Sequence, residues 1–135
     1  MRSLNITSIQ RGCLYDGPGV RTTVFLRGCI LKCPWCCNPE TIFLENDFFL
    51  DNSKCLKIKH INSSLCDNCE RYGGAISVDN CPFGVSERIS DIYPFEDLIN
   101  ELLKDKTLFD ATGGGITFSG GEPLLQVADL TDLCY

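Results

Sequence analysis

Apolar positions cluster over a few segments of this chain, and each cluster predicts an element. Val20 to Leu26 (V-R-T-T-V-F-L) is rich in β-branched and aromatic residues and breaks at Gly28, the signature of a strand. Pro94 to Lys106 places Phe95, Leu98, Ile99, Leu102 and Leu103 at helical spacing. Pro94 suits a first helical position, and Glu96 and Asp97 suit a first turn. Ile116 to Ser119 reads as a short buried strand. Gly120-Gly121-Glu122-Pro123 then turns the chain into a second helix start, with Leu124, Leu125 and Ala128 apolar. Asn5 to Gln10, with only Ile6 and Ile9 apolar, predicts a weak strand or a loop. Asp16-Gly17-Pro18-Gly19 is a turn by its chemistry.

Two stretches lack a period. Cys29 to Glu40 carries Cys, Pro and Asn and predicts a loop. Thr41 to Cys81 is irregular over a length that a compact domain rarely leaves unordered, so something other than an apolar core must order it. The sequence of strand, cysteine loop, irregular insert, helix, strand and helix start predicts an α/β fold with parallel strands. The cysteine loop and the Gly-Gly-Glu turn each follow a strand's C-terminal end, which carries the chemistry in β/α barrels. An open sheet of two strands is expected.

Composition narrows this picture. The 135 residues suit one domain, and 44% hydrophobic with 22% charged residues is ordinary globular usage. A net charge of −6 argues against nucleic acid, whose phosphates need a basic face. No stretch has the roughly 20 apolar residues of a membrane span, and no secretory apolar region opens the chain, so a cytoplasmic protein without a membrane partner is expected. Ten cysteines in such a compartment point to metal or redox chemistry rather than disulfides.

Cys29, Cys33 and Cys36 form a C-x3-C-x2-C array. Three thiolates on one loop can hold three irons of a four-iron cluster and leave the fourth iron open. Cys33-Pro-Trp-Cys36 alone would also fit a thioredoxin-like pair, although Cys29 and Cys37 crowd it, and structural zinc also uses C-x2-C pairs. Gly120 and Gly121 would let a backbone come close to a ligand, and the Glu122 carboxylate suits an ammonium group. A P-loop is excluded because no Lys-Ser/Thr follows, and no Gly-x-Gly-x-x-Gly follows the first strand.

The run from Asp16-Gly17-Pro18-Gly19-Val20-Arg21 through Cys29-x3-Cys33-x2-Cys36 to Asn38-Pro39-Glu40, with Gly113-Gly114-Gly115-Ile-Thr-Phe-Ser-Gly-Gly-Glu-Pro123, resembles the radical S-adenosylmethionine (SAM) activases of glycyl radical enzymes. The resemblance covers most of the chain. It implies an oxidoreductase in which Cys29, Cys33 and Cys36 hold a [4Fe-4S] cluster and SAM binds the open iron through its methionine amino and carboxylate groups. Gly120, Gly121 and Glu122 would bind the SAM amine, and Trp35 would lie near the adenine; as a bland alternative, Trp35 is a core aromatic. Asp16 to Arg21 would lie near the partner's glycine loop, although a plain turn explains its glycines equally well.

The resemblance further implies that a flavodoxin or ferredoxin reduces the cluster and that SAM is cleaved to methionine and a 5′-deoxyadenosyl radical. The radical takes hydrogen from a glycine of a partner enzyme of the pyruvate formate-lyase or glycerol/choline lyase type, in an anaerobic setting. The implied fold is a partial (β/α) barrel over residues 1–135. A full barrel takes about 250 residues, so the expected barrel is truncated. A catalytically incomplete iron–sulfur or electron-transfer fragment is the alternative.

Residues 50–90 are expected to form a cysteine-rich, ferredoxin-like insert carrying Cys55, Cys66, Cys69 and Cys81-Pro82. The final Cys-Pro and the C-x2-C pair resemble ferredoxins, though the other spacings are longer. A second [4Fe-4S] cluster on these four thiolates, relaying electrons or bracing the insert, is the expectation; structural zinc and unliganded thiols are the alternatives. His60 is expected in a solvated loop, and Cys13 and Cys134 as ordinary core thiols.

Overall fold

The computed structural model describes residues 2–44, 48–74 and 77–133. The chain divides into two compact units, one formed by residues 1–45 with 90–135 and the other by residues 46–89.

The first unit is built on a four-stranded mixed sheet. Its strands are β1 (Ser3–Cys13), β2 (Arg21–Leu26), β5 (Asp91–Pro94) and β6 (Gly115–Gly120), in the order β5-β1-β2-β6. β1 runs antiparallel to both β2 and β5, while β2 and β6 are parallel, pairing Arg21 with Gly115 through Leu26 with Gly120. The sheet therefore has twice the expected number of strands.

The reason β1 is faint in the sequence lies in its register. Ile6 faces Leu26 and Ser8 faces Phe25, so Thr7 is an extra residue on β1. This bulge breaks the period of two and returns Ile9 to the side of Ile6. The Thr7 hydroxyl donates to the Phe25 carbonyl at 2.9 Å, which satisfies the interrupted ladder.

One face of the sheet buries Leu4, Ile6, Val24 and Leu26 against Leu98 and Leu102 of helix α2 (Phe95–Leu103). Ile116 and Phe118 of β6, with Leu130 and Leu133 of α4 (Val127–Leu133), pack on this cluster. Burying each such side chain contributes about 1.5–3 kcal/mol. The helix expected over Pro94–Lys106 starts one residue later, because Pro94 ends β5 and serves as the N-cap. It also stops at Leu103, leaving Ile99 and Leu103 exposed. Lys106–Thr112 forms a separate helix, α3, which Gly113 ends in a left-handed conformation.

A charged cluster ties α2 and α3 to the sheet. The Asp105 carboxylate accepts from the Thr22 hydroxyl at 2.8 Å and from the Arg11 guanidinium, which also reaches Glu101 at 2.6 Å. Burial pushes the Asp105 carboxyl upward, but the bonds from Arg11 and Thr22 outweigh it and hold it below its ordinary value. Arg27 is buried at 1% exposure; its guanidinium donates to the Phe43 carbonyl at 3.0 and 3.1 Å and to the Ser90 hydroxyl at 3.0 Å. It thus joins the two segments between which residues 46–89 are inserted.

The second unit contains little regular structure. β3 (Phe48–Leu50) pairs antiparallel with β4 (Ser86–Arg88), and α1 (Ser64–Asp67) is a single turn. Short 3-10 turns at Asn52–Lys54, Glu70–Tyr72 and Val78–Asn80 account for most of the rest. Val85, Cys55 and Cys66 are its buried apolar residues among those described. Among the described residues, no helix is long and apolar enough to cross a membrane.

Leu98→Ala is expected to destabilise the first unit by about 2–5 kcal/mol, the usual cost of emptying a filled core site, measured by urea unfolding. Asp105→Asn should cost stability at neutral pH. Because the native carboxyl is depressed, its contribution is complete above the unfolded value of about 3.9 and fades as pH falls through the native one. Acid titration of unfolding should therefore be shallower in the variant; an unchanged acid slope would remove Asp105 as a source of that dependence.

Candidate iron–sulfur and SAM site

The parallel pairing of β2 and β6 brings the cysteine loop and the Gly-Gly-Glu turn to the same end of the sheet. The Gly121 amide donates to the Leu26 carbonyl at 2.7 Å, and the Glu122 amide to the Gly28 carbonyl at 2.8 Å. A Cβ on Gly121 would lie 2.0 Å from the Gly28 carbonyl oxygen, and one on Gly120 would lie 2.4 Å from the Leu26 nitrogen. Gly120 also has a φ of 100°, which favours glycine. The two glycines expected to let a ligand approach are thus required first by the backbone at the end of β2 and of Gly28 just beyond it.

Every hydrogen-bonding group of the backbone from Arg27 to the Cys29 amide is engaged. The Arg27 amide donates to Asn5, the Gly28 amide to Thr41 and the Cys29 amide to Ile42, at 2.9–3.1 Å. Gln126 completes the set: its Oε1 accepts from the Asn5 amide at 3.1 Å, and its Nε2 donates to the Arg27 carbonyl at 3.0 Å. Nothing in the sequence marked Gln126 or Arg27, because both act on backbone groups far away in the chain. At the same end of the sheet, Asn5 Oδ1 is buried without a hydrogen-bond partner among the described residues.

Beyond this fixed root the loop opens. Cys29 and Cys33 are half-buried and Cys36 and Cys37 exposed, all as free thiols. The Leu31 amide donates to Cys29 Sγ at 3.4 Å, and a tight turn joins the Cys36 amide to the Cys33 carbonyl at 3.1 Å. Trp35 is 78% exposed, which overturns its reading as a core aromatic. Glu122 Oε1 accepts from the Leu124 amide at 3.0 Å, capping the turn Pro123–Gln126 and fixing the carboxylate's direction.

Asp16 to Arg21 lies at the other end of β2. The Thr23 hydroxyl donates to the Asp16 carboxylate at 2.5 Å, and Arg21 Nε to the Thr117 hydroxyl at 3.0 Å. The turn is thereby fastened to the sheet face opposite the apolar core.

In the second unit, Cys55, Cys66, Cys69 and Cys81 line a single cavity together with Tyr72, Lys57 and Arg71. The cavity is small, about 30 Å³. The backbone N–H of Ile58 favours the Cys55 thiolate. It outweighs burial and, with the Tyr72 hydroxyl, the Lys57 backbone and the Arg71 charge, holds the Cys55 thiol below its ordinary value. Among the described residues, no three Cys, His, Asp or Glu side chains stand close enough to share a single metal ion. A four-iron cube binds each thiolate on a different iron, so its ligands stand wider apart than those of one zinc, where each sulfur lies about 2.3 Å from the ion. Four thiols around one cavity, with donors already aimed at Cys55, fit such a cube. Three thiols on a loop whose fixed root is bonded to the Gly-Gly-Glu turn fit a cluster with one open iron.

His60 is exposed in a turn, with a φ of 58°. Cys13 is not a core thiol: it is half-buried at the end of β1, and its thiol points to the Gln10 carbonyl at 3.6 Å. Cys134 lies outside the described residues.

Gly121→Ala should lower both the melting temperature and the iron bound after reconstitution, since its Cβ must displace the Gly28 carbonyl. Gly113→Ala, with open space at its Cβ, should bind iron as the parent does and show only the cost of its positive φ.

Residues 15–135 match the family of 4Fe-4S single cluster domains. The chain is 41% identical over 121 residues to the pyruvate formate-lyase 2-activating enzyme of Escherichia coli K12, covering 90% of this chain and 37% of that one. It is 35% identical to the (2S)-3-sulfopropanediol dehydratase activating enzyme of Klebsiella oxytoca, over 96% of this chain and 47% of that one. It is 34% identical to the benzylsuccinate synthase activating enzyme of Thauera aromatica, over 88% of this chain and 41% of that one. The chain thus spans less than half the length of these curated relatives. With a cysteine loop and a Gly-Gly-Glu turn locked together at one end of a parallel strand pair, it belongs to the 4Fe-4S single cluster domain family.

Proposed function

We propose that this chain is the cluster- and SAM-binding part of a radical SAM activating enzyme that places a glycyl radical on a partner enzyme. The observation that carries the reading is the bond from the Glu122 amide to the Gly28 carbonyl, which ties the turn suited to an ammonium group to the residue before Cys29. The names of the relatives, all activating enzymes, support the same reading.

In this reading, Cys29, Cys33 and Cys36 each hold one iron. When bound, the cluster supplies the electron that splits SAM into methionine and a 5′-deoxyadenosyl radical. Glu122, with Oε1 engaged by the Leu124 amide, offers its other oxygen to the methionine ammonium. Gly120 and Gly121 keep that carboxylate against the end of β2. Trp35 offers an exposed indole face for the adenine. β2 and β6 are the first two parallel strands of a partial barrel, which further chain would extend from the edge of β6. Cys55, Cys66, Cys69 and Cys81 hold a second [4Fe-4S] cluster in the inserted unit. A glycyl radical enzyme is the partner, and a flavodoxin or ferredoxin in an anaerobic cytoplasm is the electron donor.

The test is electron paramagnetic resonance (EPR) of the anaerobically reconstituted, reduced chain with and without SAM. SAM is expected to change one cluster signal, and Glu122→Gln to weaken that response while leaving the iron content unchanged. A cluster signal indifferent to SAM would reduce the chain to an iron–sulfur module that needs further strands for chemistry.

A further inference from the structure

Tyr72 stands where a potential-setting group would stand for a cluster on the second cysteine set. Its hydroxyl lies 3.7 Å from Cys55 Sγ, within reach of a hydrogen bond to sulfur. A cysteine bound to iron is a thiolate and carries no proton, so the phenol must be the donor. The ring is also held by the Lys57 ammonium, which sits over it 5.5 Å from its centroid and pairs with Asp67 at 2.9 Å. Asp67 lies between Cys66 and Cys69, so this chain of contacts starts and ends at cysteines of one set. Cys55 is the most deeply buried of the four, at 7% exposure, where a hydrogen bond is worth most.

We propose that Tyr72 sets the reduction potential of the second cluster by donating a hydrogen bond to the Cys55 thiolate, with Lys57 as the positioning residue for its ring. The inference rests on the proposed assignment of Cys55, Cys66, Cys69 and Cys81 as ligands of one cluster. One electron from a low-potential donor such as dithionite adds one negative charge to the iron–sulfur unit. A donor at a ligand sulfur stabilises the more negative state and raises the potential. Tyr72 loses no proton in the step.

The experiment is an EPR-monitored redox titration of the full chain carrying Cys29→Ala, Cys33→Ala and Cys36→Ala, so that only the second cluster reports. Four irons per chain and a single reduced cluster signal are expected. Tyr72→Phe should keep the iron and move the midpoint to a more negative potential. Replacing all tyrosines with 3-fluorotyrosine makes the phenol a stronger donor without removing it, and should move the midpoint the other way. This second measurement holds even where Tyr72→Phe binds iron poorly. Full iron with an unmoved midpoint in both proteins overturns the role of Tyr72 and leaves the ligand assignment standing. A chain that binds zinc, or no iron, in the triple-alanine background overturns the ligand assignment and this proposal together.

Discussion

The first unit depends on one close approach of two backbones. Gly120 and Gly121 lie so near the end of β2 that no side chain fits at either position, and the Gly121 and Glu122 amides bond to the Leu26 and Gly28 carbonyls. The parallel pairing would hold β6 beside β2 without this contact, but it would not fix where each strand's last residue points. With it, the departure of the cysteine loop and the direction of the Glu122 carboxylate become one geometric fact. Gln126 extends the lock to β1 by bonding the Asn5 amide and the Arg27 carbonyl with a single side-chain amide. A buried hydrogen bond of this kind contributes only about 1 kcal/mol net, but leaving its partners unpaired would cost more.

The two units are ordered by different physics. The first has an apolar core of Leu4, Ile6, Val24, Leu26, Leu98 and Leu102, and its loops hang from that core. The second, among its described residues, buries Val85 and two cysteines as its apolar side chains and holds its chain mostly by short turns. So little apolar burial gives little against the conformational entropy of ordering some forty residues, at about 1–2 kcal/mol each for the backbone. Thiolate–metal bonds, where the four cysteines hold the cluster proposed for them, would supply order on the scale required, since bound metal contributes folding free energy directly. The gathering of four cysteines around one cavity is consistent with a unit whose fold and ligand are inseparable.

The legible parts of the sequence were those where local pattern and tertiary role agree. Val20 to Leu26 and Ile116 to Ser119 are strands within a residue of the expected bounds; β2 is mostly buried, β6 is half-buried rather than buried, and both are bounded by glycine. β1 was nearly lost because the bulge at Thr7 breaks its alternation, and a bulge is paid for by the neighbouring strand, which no local pattern shows. α3 was missed: the expected helix ran on to Lys106, because Lys104 and Asp105 suit a helix as well as the break between two, and residues 107–112 carried no element of their own. At the site, the cysteines and the Gly-Gly-Glu turn were visible as chemistry, but the reason for the glycines was not. They answer to the Gly28 carbonyl and the Leu26 nitrogen, more than ninety residues earlier in the chain.

The same reasoning explains why the site is half fixed and half open. All that the sheet can reach is pinned: the Arg27 to Cys29 backbone, the Glu122 carboxylate and the 123–126 turn. What lies beyond the sheet, from Ile30 to Cys37, has few internal bonds and exposes Ile30, Leu31 and Trp35 at 71%, 50% and 78%. Three apolar side chains left in water beside three thiols are unfavourable unless something covers them. A ligand that binds those thiols would draw the loop inward, and an adenine against Trp35 would cover the largest of the three. The sheet therefore holds the root of the loop in advance, and the bound group is left to order its tip.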